Sequence, residues 1–325
     1  MNRNRLISVA GFVVSIVLLY LSVRGTHFGQ IGSILKAVDF RLLPVSVMFI
    51  FTSASLCAYR WAKVSGRGTK FSETFTALII GLFVNNVLPA RIGEAARGYV
   101  LAKRRGYSFT FALSTVLLDR FFDLTGLIIL LFIFFPRQSL PPAVSKAIYA
   151  VLALLLTAIA LIFLFSGQRF TGKLTQRLLK TDRPFLSGIA HKIAEIAENL
   201  RRIKSPSNLL ICVVLSCMIW FSMSLALYTT GLALHVDLPF FCVPFVCALL
   251  NMGLTIPSSP GYIGVYQFLL VYLLSIFDVP KEQGFAISVL YHASWYVPYN
   301  LLGFFLLLRE HVHLRDIKKL GGRGA

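Results

Sequence analysis

Long apolar runs separated by short polar stretches set the pattern of this chain. They fall near 6–23, 42–59, 75–88, 109–135, 147–165, 209–234, 240–256, 261–277 and 285–308. A helix needs about 20 residues to cross a hydrocarbon core of roughly 30 Å. Six runs approach or exceed that length and are read as full spans. The runs at 75–88, 240–256 and 261–277 are short, and the regions 75–101 and 240–277 are predicted to be re-entrant helical hairpins that return to their own side. The first run follows MNRNR and could be taken for a secretory leader, but residues 21–24 offer no small-x-small cleavage pattern. It is expected to be a retained first helix.

Composition agrees with lipid as the solvent. Hydrophobic residues make up 57% and charged residues 14%, with a mean hydropathy of +0.75, which excludes a soluble globular enzyme. The 32 Lys and Arg against 13 Asp and Glu give +19, a balance that in a soluble protein would suggest nucleic acid. Here it marks loops on the cytoplasmic side, and no nucleic-acid partner is expected. With the N-terminus inside and both hairpins returning, 25 basic residues, Arg60 among them, fall on the cytoplasmic side and six outside, leaving Arg120 within a span. Both termini are therefore expected in the cytoplasm.

The two hairpins align with each other. Pro89, Ile92 and Gly93 in LPARIGEAARG stand 171 positions before Pro260, Ile263 and Gly264 in SPGYIGVYQ. The same offset superposes 42–59 on 209–234 and 109–135 on 285–308. Three spans and one hairpin per half invert the second half, the pattern of an inverted-topology repeat; chance recurrence of three identities is the other explanation. The expected architecture is thus an all-α polytopic membrane protein. It forms one membrane domain over 1–325, with a first half at 1–137 and an inverted second half at 138–310. The second half carries a basic cytoplasmic insert at 166–206, and 311–325 is a tail. The insert reads either as an amphipathic helix drawn to anionic head groups or as simple positive-inside decoration.

Chemistry concentrates in two places. In NNVLPARIGEAARGYVL, Arg91, Glu94 and Arg97 recur every three residues and share a helix side, among small residues that let backbones approach. They either line a wet cavity or touch phosphates at the head-group level. In STVLLDRFFDLTGL, Asp119, Arg120 and Asp123 sit inside an apolar helix, where each isolated charge costs on the order of 2.5–3.5 kcal/mol. They must be paired: Arg120 reaches Asp123 at i+3 or Glu94 across a helix contact. The set either holds a zwitterionic or anionic head group or fixes helix register as a static network.

In the second half, Pro257 and Pro260 break NMGLTIPSSPGYIGVYQF. A helix starting near Gly261 is expected to point free N–H groups at the membrane middle, a ready phosphate site. YHASWYVPYN places Tyr291, His292, Trp295, Tyr296, Tyr299 and Asn300 opposite, either lining a cavity or forming an interfacial belt.

Other signals carry little. The five cysteines lie in apolar runs without a C-x-x-C pair or neighbouring His, so they read as small hydrophobes and no metal site is expected. Gly167 to Lys173 matches G-x-x-x-x-G-K, but Leu174 stands where Ser or Thr is required. DRFFD is a D-x-x-x-D of the type that holds magnesium and diphosphate in intramembrane transferases, yet a second Asp-rich motif is missing. No cofactor is expected.

The combination of N-x-L-P-A-R-x-G-E-x-x-R at Asn86 to Arg97, D-R-x-x-D at Asp119 to Asp123 and P-S-S-P-G-Y-I-G-V-Y at Pro257 to Tyr266 resembles the lysylphosphatidylglycerol synthase transmembrane region. That resemblance implies a stand-alone, flippase-like member without the synthase domain, in the bacterial or archaeal inner membrane. It implies a lipid substrate without naming which, expected here to carry a phosphate in its head group, and a site drawn from Asn86, Arg91, Glu94, Arg97, Asp119, Arg120 and Asp123, to which His292 of the last span is added as a candidate. Pro260, Gly261 and Gly264 would shape the opposing hairpin. The alternatives are an intramembrane lipid-phosphate transferase and a scaffold for a lipid-biosynthesis enzyme, with such an enzyme or a second copy as partner.

Overall fold

Helix boundaries follow local signals. The computed structural model describes residues 3–66, 68–88, 92–136, 140–150, 152–153, 157, 205–255 and 259–312. Residues 166–204 of the basic insert, with the Gly167 to Lys173 stretch, most of the C-terminal tail and Pro257 lie outside the described residues. α1 (Arg3–Val23) and α2 (Phe28–Lys36) meet at a bend of 85°. α3 (Leu43–Ser65) starts with Pro44 in its first turn, where a missing N–H costs nothing, and stops at Gly66 in a positive-φ conformation. α4 (Phe71–Val87) is opened by Glu73, which accepts from the Lys70 N–H, and α5 (Gly93–Arg105) ends on left-handed Gly106. α6 (Phe109–Ile133) is capped by Ser108, whose hydroxyl accepts from the Phe111 N–H at 3.0 Å. α7 (Pro206–Ala233), α8 (Val243–Gly253), α9 (Val265–Ser275) and α10 (Lys281–Arg309) follow, and residues 142–150 are helical as well. Among the described residues there is no strand.

Contacts between helix ends define two poles. At the first, Arg105 of α5 pairs with Glu73 of α4 at 3.6 Å, and Arg104 pairs with Glu310 just beyond α10. At the second, the Asp39 N–H donates to the Ala233 carbonyl closing α7, and Phe245 of α8 packs on Phe135 beyond α6 and on Phe277 beyond α9. Lys281 at the start of α10 donates to the Leu21 and Arg24 carbonyls there. The α4–α5 hairpin therefore opens at the first pole and the α8–α9 hairpin at the second. Their tips approach each other: the turn Pro260–Tyr262 packs against α4.

Length separates the spanning candidates from the rest. Leu43–Ser65 and Ser207–Ala233 are long and apolar enough to cross a membrane, and the bent α1–α2 pair is a third candidate. α6 and α10 have the length, at 25 and 29 residues, but carry polar groups in mid-helix. α8 and α9 have 11 residues each, about 16 Å of rise, half of a hydrocarbon core. Over the described residues the chain is all-helical, with two helices, or three if the bent pair is one span, long and apolar enough to cross a membrane.

Two glycines make close approaches possible. A Cβ on Gly93 would run into the Gly81 carbonyl and Asn85, so α4 and α5 touch backbone to backbone there. Gly264 adopts φ +91°, and a Cβ on it would strike the Ser15 carbonyl of α1.

Candidate functional site

α6 brings its three charges to the middle of the bundle. Asp119 lies ten residues into the helix and Asp123 fourteen, depths of about 15 and 21 Å from the first pole. At such depth each carboxylate needs a cation, and the fold supplies three from three helices. Arg60 Nε of α3 contacts Asp119 at 2.9 Å and its terminal nitrogen contacts Asp123 at 2.6 Å. Arg97 of α5 takes the other Asp119 oxygen at 2.8 Å and stands 3.7 Å from Glu94. Arg120 joins Glu94 at 2.8 Å to Asp123 at 3.0 Å. The six groups close into a ring, Arg60–Asp119–Arg97–Glu94–Arg120–Asp123, in which cation and anion alternate.

Neutral groups hold the ring in place. Arg60 also donates to Ser216 Oγ of α7 at 2.7 Å. The Arg97 guanidinium stacks 4.1 Å from the Trp61 ring, whose indole N–H donates to Thr115. Trp220 donates to the Asp123 carbonyl at 3.0 Å.

One side of the ring faces a cavity of about 510 Å³ between the hairpin tips. Glu94, Arg120 and Asp123 line it on one wall, with Asn85 and Asn86 from α4 beside them. Across from them stand Asn251, Thr255, Tyr262 and Trp295. Arg120 and Glu94 are 37% and 31% exposed, whereas Arg60 and Asp119 are 0% and Arg97 1%. The ring thus has a buried half that builds structure and a cavity half that can meet a ligand. Three polar atoms on the cavity residues have no hydrogen bond: Glu94 Oε2, Arg120 Nε and Asn86 Nδ2. Buried polar atoms are normally paired, which makes this cluster chemically unusual.

The expected site residues therefore divide. Glu94, Arg97, Asp119, Arg120 and Asp123 meet in one network, and Arg120 reaches Asp123 and Glu94 at once. Asn86 lies on the same cavity wall. Arg97 and Asp119 do not line the cavity, because each is enclosed by its partners. Arg91 is outside the described residues. Pro260, Gly261 and Gly264 form the opposing tip, but α9 begins only at Val265, and the Gly264 N–H donates to Gln267 Oε1 at 2.7 Å. The expected phosphate-ready helix start is thus partly satisfied by its own side chain.

His292 is not among the cavity-lining residues. It sits between Tyr266 and Trp295, with ring centroids 4.6 and 4.7 Å away. Because Gln267 Oε1 takes the Gly264 N–H, its amide nitrogen must donate to His292 Nδ1, at 3.0 Å. The histidine positions the tip. Tyr291 and Tyr299 are buried, with hydroxyls donating to the Met223 and Ile50 carbonyls, so they belong to the interior and not to an interfacial belt.

Sequence reasoning missed Arg60, which it assigned to a cytoplasmic loop because the apolar run stops at Tyr59. Moving it into the core leaves the basic bias intact. A signal was present: Ser46, Ser53, Cys57 and Arg60 are spaced by seven, four and three, a polar stripe along one face of α3. Cys57, Asp119 and Asp123 also lie close enough to suggest a metal site, with ligand atoms within 4.8 Å. All four carboxylate oxygens are already held by arginines, and a cation would have to displace them.

Comparison with known proteins places the chain. The family described as the lysylphosphatidylglycerol synthase TM region matches residues 8–303. The chain belongs to this family. Two UPF0104 membrane proteins of Methanocaldococcus jannaschii are similar to it. One is 27% identical over 68% of this chain and 92% of its own length, the other 24% identical over 85% and 86%. A UPF0104 membrane protein of Methanothermobacter thermautotrophicus is 23% identical over 85% of this chain and 88% of its own length. No solved structure matches. The match covers both hairpins, α6 and most of α10.

Proposed function

We propose that this member of the lysylphosphatidylglycerol synthase TM region family is a lipid translocator, moving a phosphate-bearing head group between leaflets of the cytoplasmic membrane. The carrying observation is the cavity between two opposed hairpin tips, with a half-exposed arginine of a mid-bundle ion-pair ring on its wall. Its volume, about 510 Å³, lies within the usual range for small-ligand sites. An arginine there offers a fork of donors that matches phosphate oxygens. The acyl tails stay in lipid while the head group engages Arg120, with Asn86 Nδ2 as a second donor. Rocking of the two halves then exposes the head group to either side.

The opposed hairpins support an inverted repeat of about six spans in which both hairpins are re-entrant. Lys103, Arg104 and Arg105 at the first pole support a cytoplasmic position for that pole and hence for both termini. A transferase reading is less well supported, because its magnesium-binding carboxylates would have to surrender their arginines.

The test is reconstitution into vesicles carrying fluorescent phospholipid, with leaflet position read by an external quencher. We expect the wild-type protein to relocate the lipid unaltered and Arg120→Ala to slow relocation at least tenfold. Relocation at the same rate in both, or a chemically new lipid product, contradicts the proposal.

A further inference from the structure

The ring is electrically neutral, with three guanidinium and three carboxylate groups. A phosphodiester entering the cavity adds one negative charge where solvation is limited, and an uncompensated charge in such a place is disfavoured. Geometry decides which group can compensate. Asp119 is held at both oxygens, by Arg60 at 2.9 Å and Arg97 at 2.8 Å. Asp123 is held at both, by Arg60 at 2.6 Å and Arg120 at 3.0 Å. Glu94 has a single close partner, Arg120 at 2.8 Å. Its other oxygen, Oε2, makes no hydrogen bond, and Arg97 stands 3.7 Å off, fixed by Asp119 and the Trp61 ring.

When a phosphate draws Arg120 to itself, Asp119 keeps two cations and Asp123 keeps Arg60. Glu94 keeps only the longer ion pair with Arg97 at 3.7 Å, which is no hydrogen bond, so it is the least compensated of the three carboxylates. Beside it on the same wall stand the neutral amides of Asn85 and Asn86 from α4, and across the cavity Asn251 from α8 and Tyr262 from the turn before α9; the other titratable side chains lining the cavity are Cys57, Tyr266, Tyr291 and Tyr299. Among the described residues, no lysine or histidine lines that wall.

Resting on the head-group reading above, we infer that Glu94 is a proton site, and that each phosphodiester bound at Arg120 is accompanied by one proton on the Glu94 carboxylate. The proton comes from water reaching the cavity and makes a neutral carboxylic acid, whose O–H, on the Oε1 that Arg120 releases, donates toward the bound phosphate. The cargo is one negative charge and one positive charge, so translocation is electrically silent. The proton leaves with the head group on the other side, which restores the ion pair with Arg120. A pH difference therefore drives the lipid toward the alkaline side, and a membrane voltage does not.

The experiment uses full-length protein in phosphatidylcholine vesicles with a trace of fluorescent phosphatidylglycerol, and protein-free vesicles as the control. Its end point is the equilibrium distribution between leaflets, which does not depend on how the protein inserted. One proton per lipid predicts up to about a tenfold shift toward the alkaline leaflet for each pH unit, and no shift under a potassium-diffusion voltage alone. In Glu94→Gln, whatever its rate, the distribution follows voltage and ignores the pH difference. Should wild-type vesicles equilibrate the probe without responding to pH, the proton inference is overturned and the translocator reading stands. Absence of any protein-dependent relocation overturns both. If Glu94→Gln does not fold, the wild-type response to pH and to voltage decides by itself.

Discussion

The two hairpins solve the same problem, a helical turn inside the bundle, with opposite chemistry. The α4–α5 tip is bound through ions: Glu94 and Arg97 lock it to α6, and the Arg97 guanidinium lies on the Trp61 ring of α3. The α8–α9 tip is bound through neutral groups: Gln267 bridges Gly264 and His292, and the histidine is clamped by Tyr266 and Trp295. Both rely on a glycine at closest approach, Gly93 against α4 and Gly264 against α1. The difference teaches that the ionic chemistry around the cavity is local to one wall. A charge-bearing wall faces a neutral, aromatic and amide wall across the cavity, an arrangement suited to a head group with one anionic end.

Breaking the ionic side is expected to have the largest effect. Arg60→Met removes the cation shared by Asp119 and Asp123 at a fully buried position, at a cost of about 3–5 kcal/mol. Thermal unfolding in detergent should show a large loss, with Arg60→Lys intermediate because a point charge cannot reproduce the fork. On the neutral side, Gly264→Ala combines a disfavoured positive φ with a clash against Ser15. It should cost about 2 kcal/mol, read by the same unfolding measurement, with α1 loosened as seen by proteolysis.

Arg120→Ala sharpens the contrast in another way. Its side chain is partly exposed to the cavity and Asp123 retains Arg60, but Glu94 is left with only Arg97 at 3.7 Å, so the loss of stability should be smaller than for Arg60→Met while relocation of phospholipid falls at least tenfold. The smallest effect is expected for Gln267→Leu, which removes two neutral hydrogen bonds and should cost about 1–2 kcal/mol. An ionic-wall variant that leaves stability and relocation untouched would erase the distinction between the walls.

Much of this arrangement was legible in the sequence, for identifiable reasons. Apolar run length marked the helices, because a bilayer imposes its thickness on them. Asp119, Arg120 and Asp123 were legible as a network because charges inside an apolar helix must find partners. Arg60 was not legible as a member, since a cation at the end of an apolar run looks the same whether it enters a loop or continues the helix. Only the unmet needs of two carboxylates on another helix identify it. The division of the ring into a buried half and a cavity half depends on how four helices pack, and Arg97 and Arg120 look equivalent without that packing. His292 was legible as polar but not as a prop for Gln267, because that role depends on a turn three residues before Gln267.

The most direct test of the central claim is a structure of the protein in lipid nanodiscs containing phosphatidylglycerol. A head-group phosphate should lie about 3 Å from Arg120, between the two hairpin tips, with its tails leaving the bundle sideways. A cavity closed by repacked side chains, or filled by an acyl chain with no phosphate near Arg120, would contradict it.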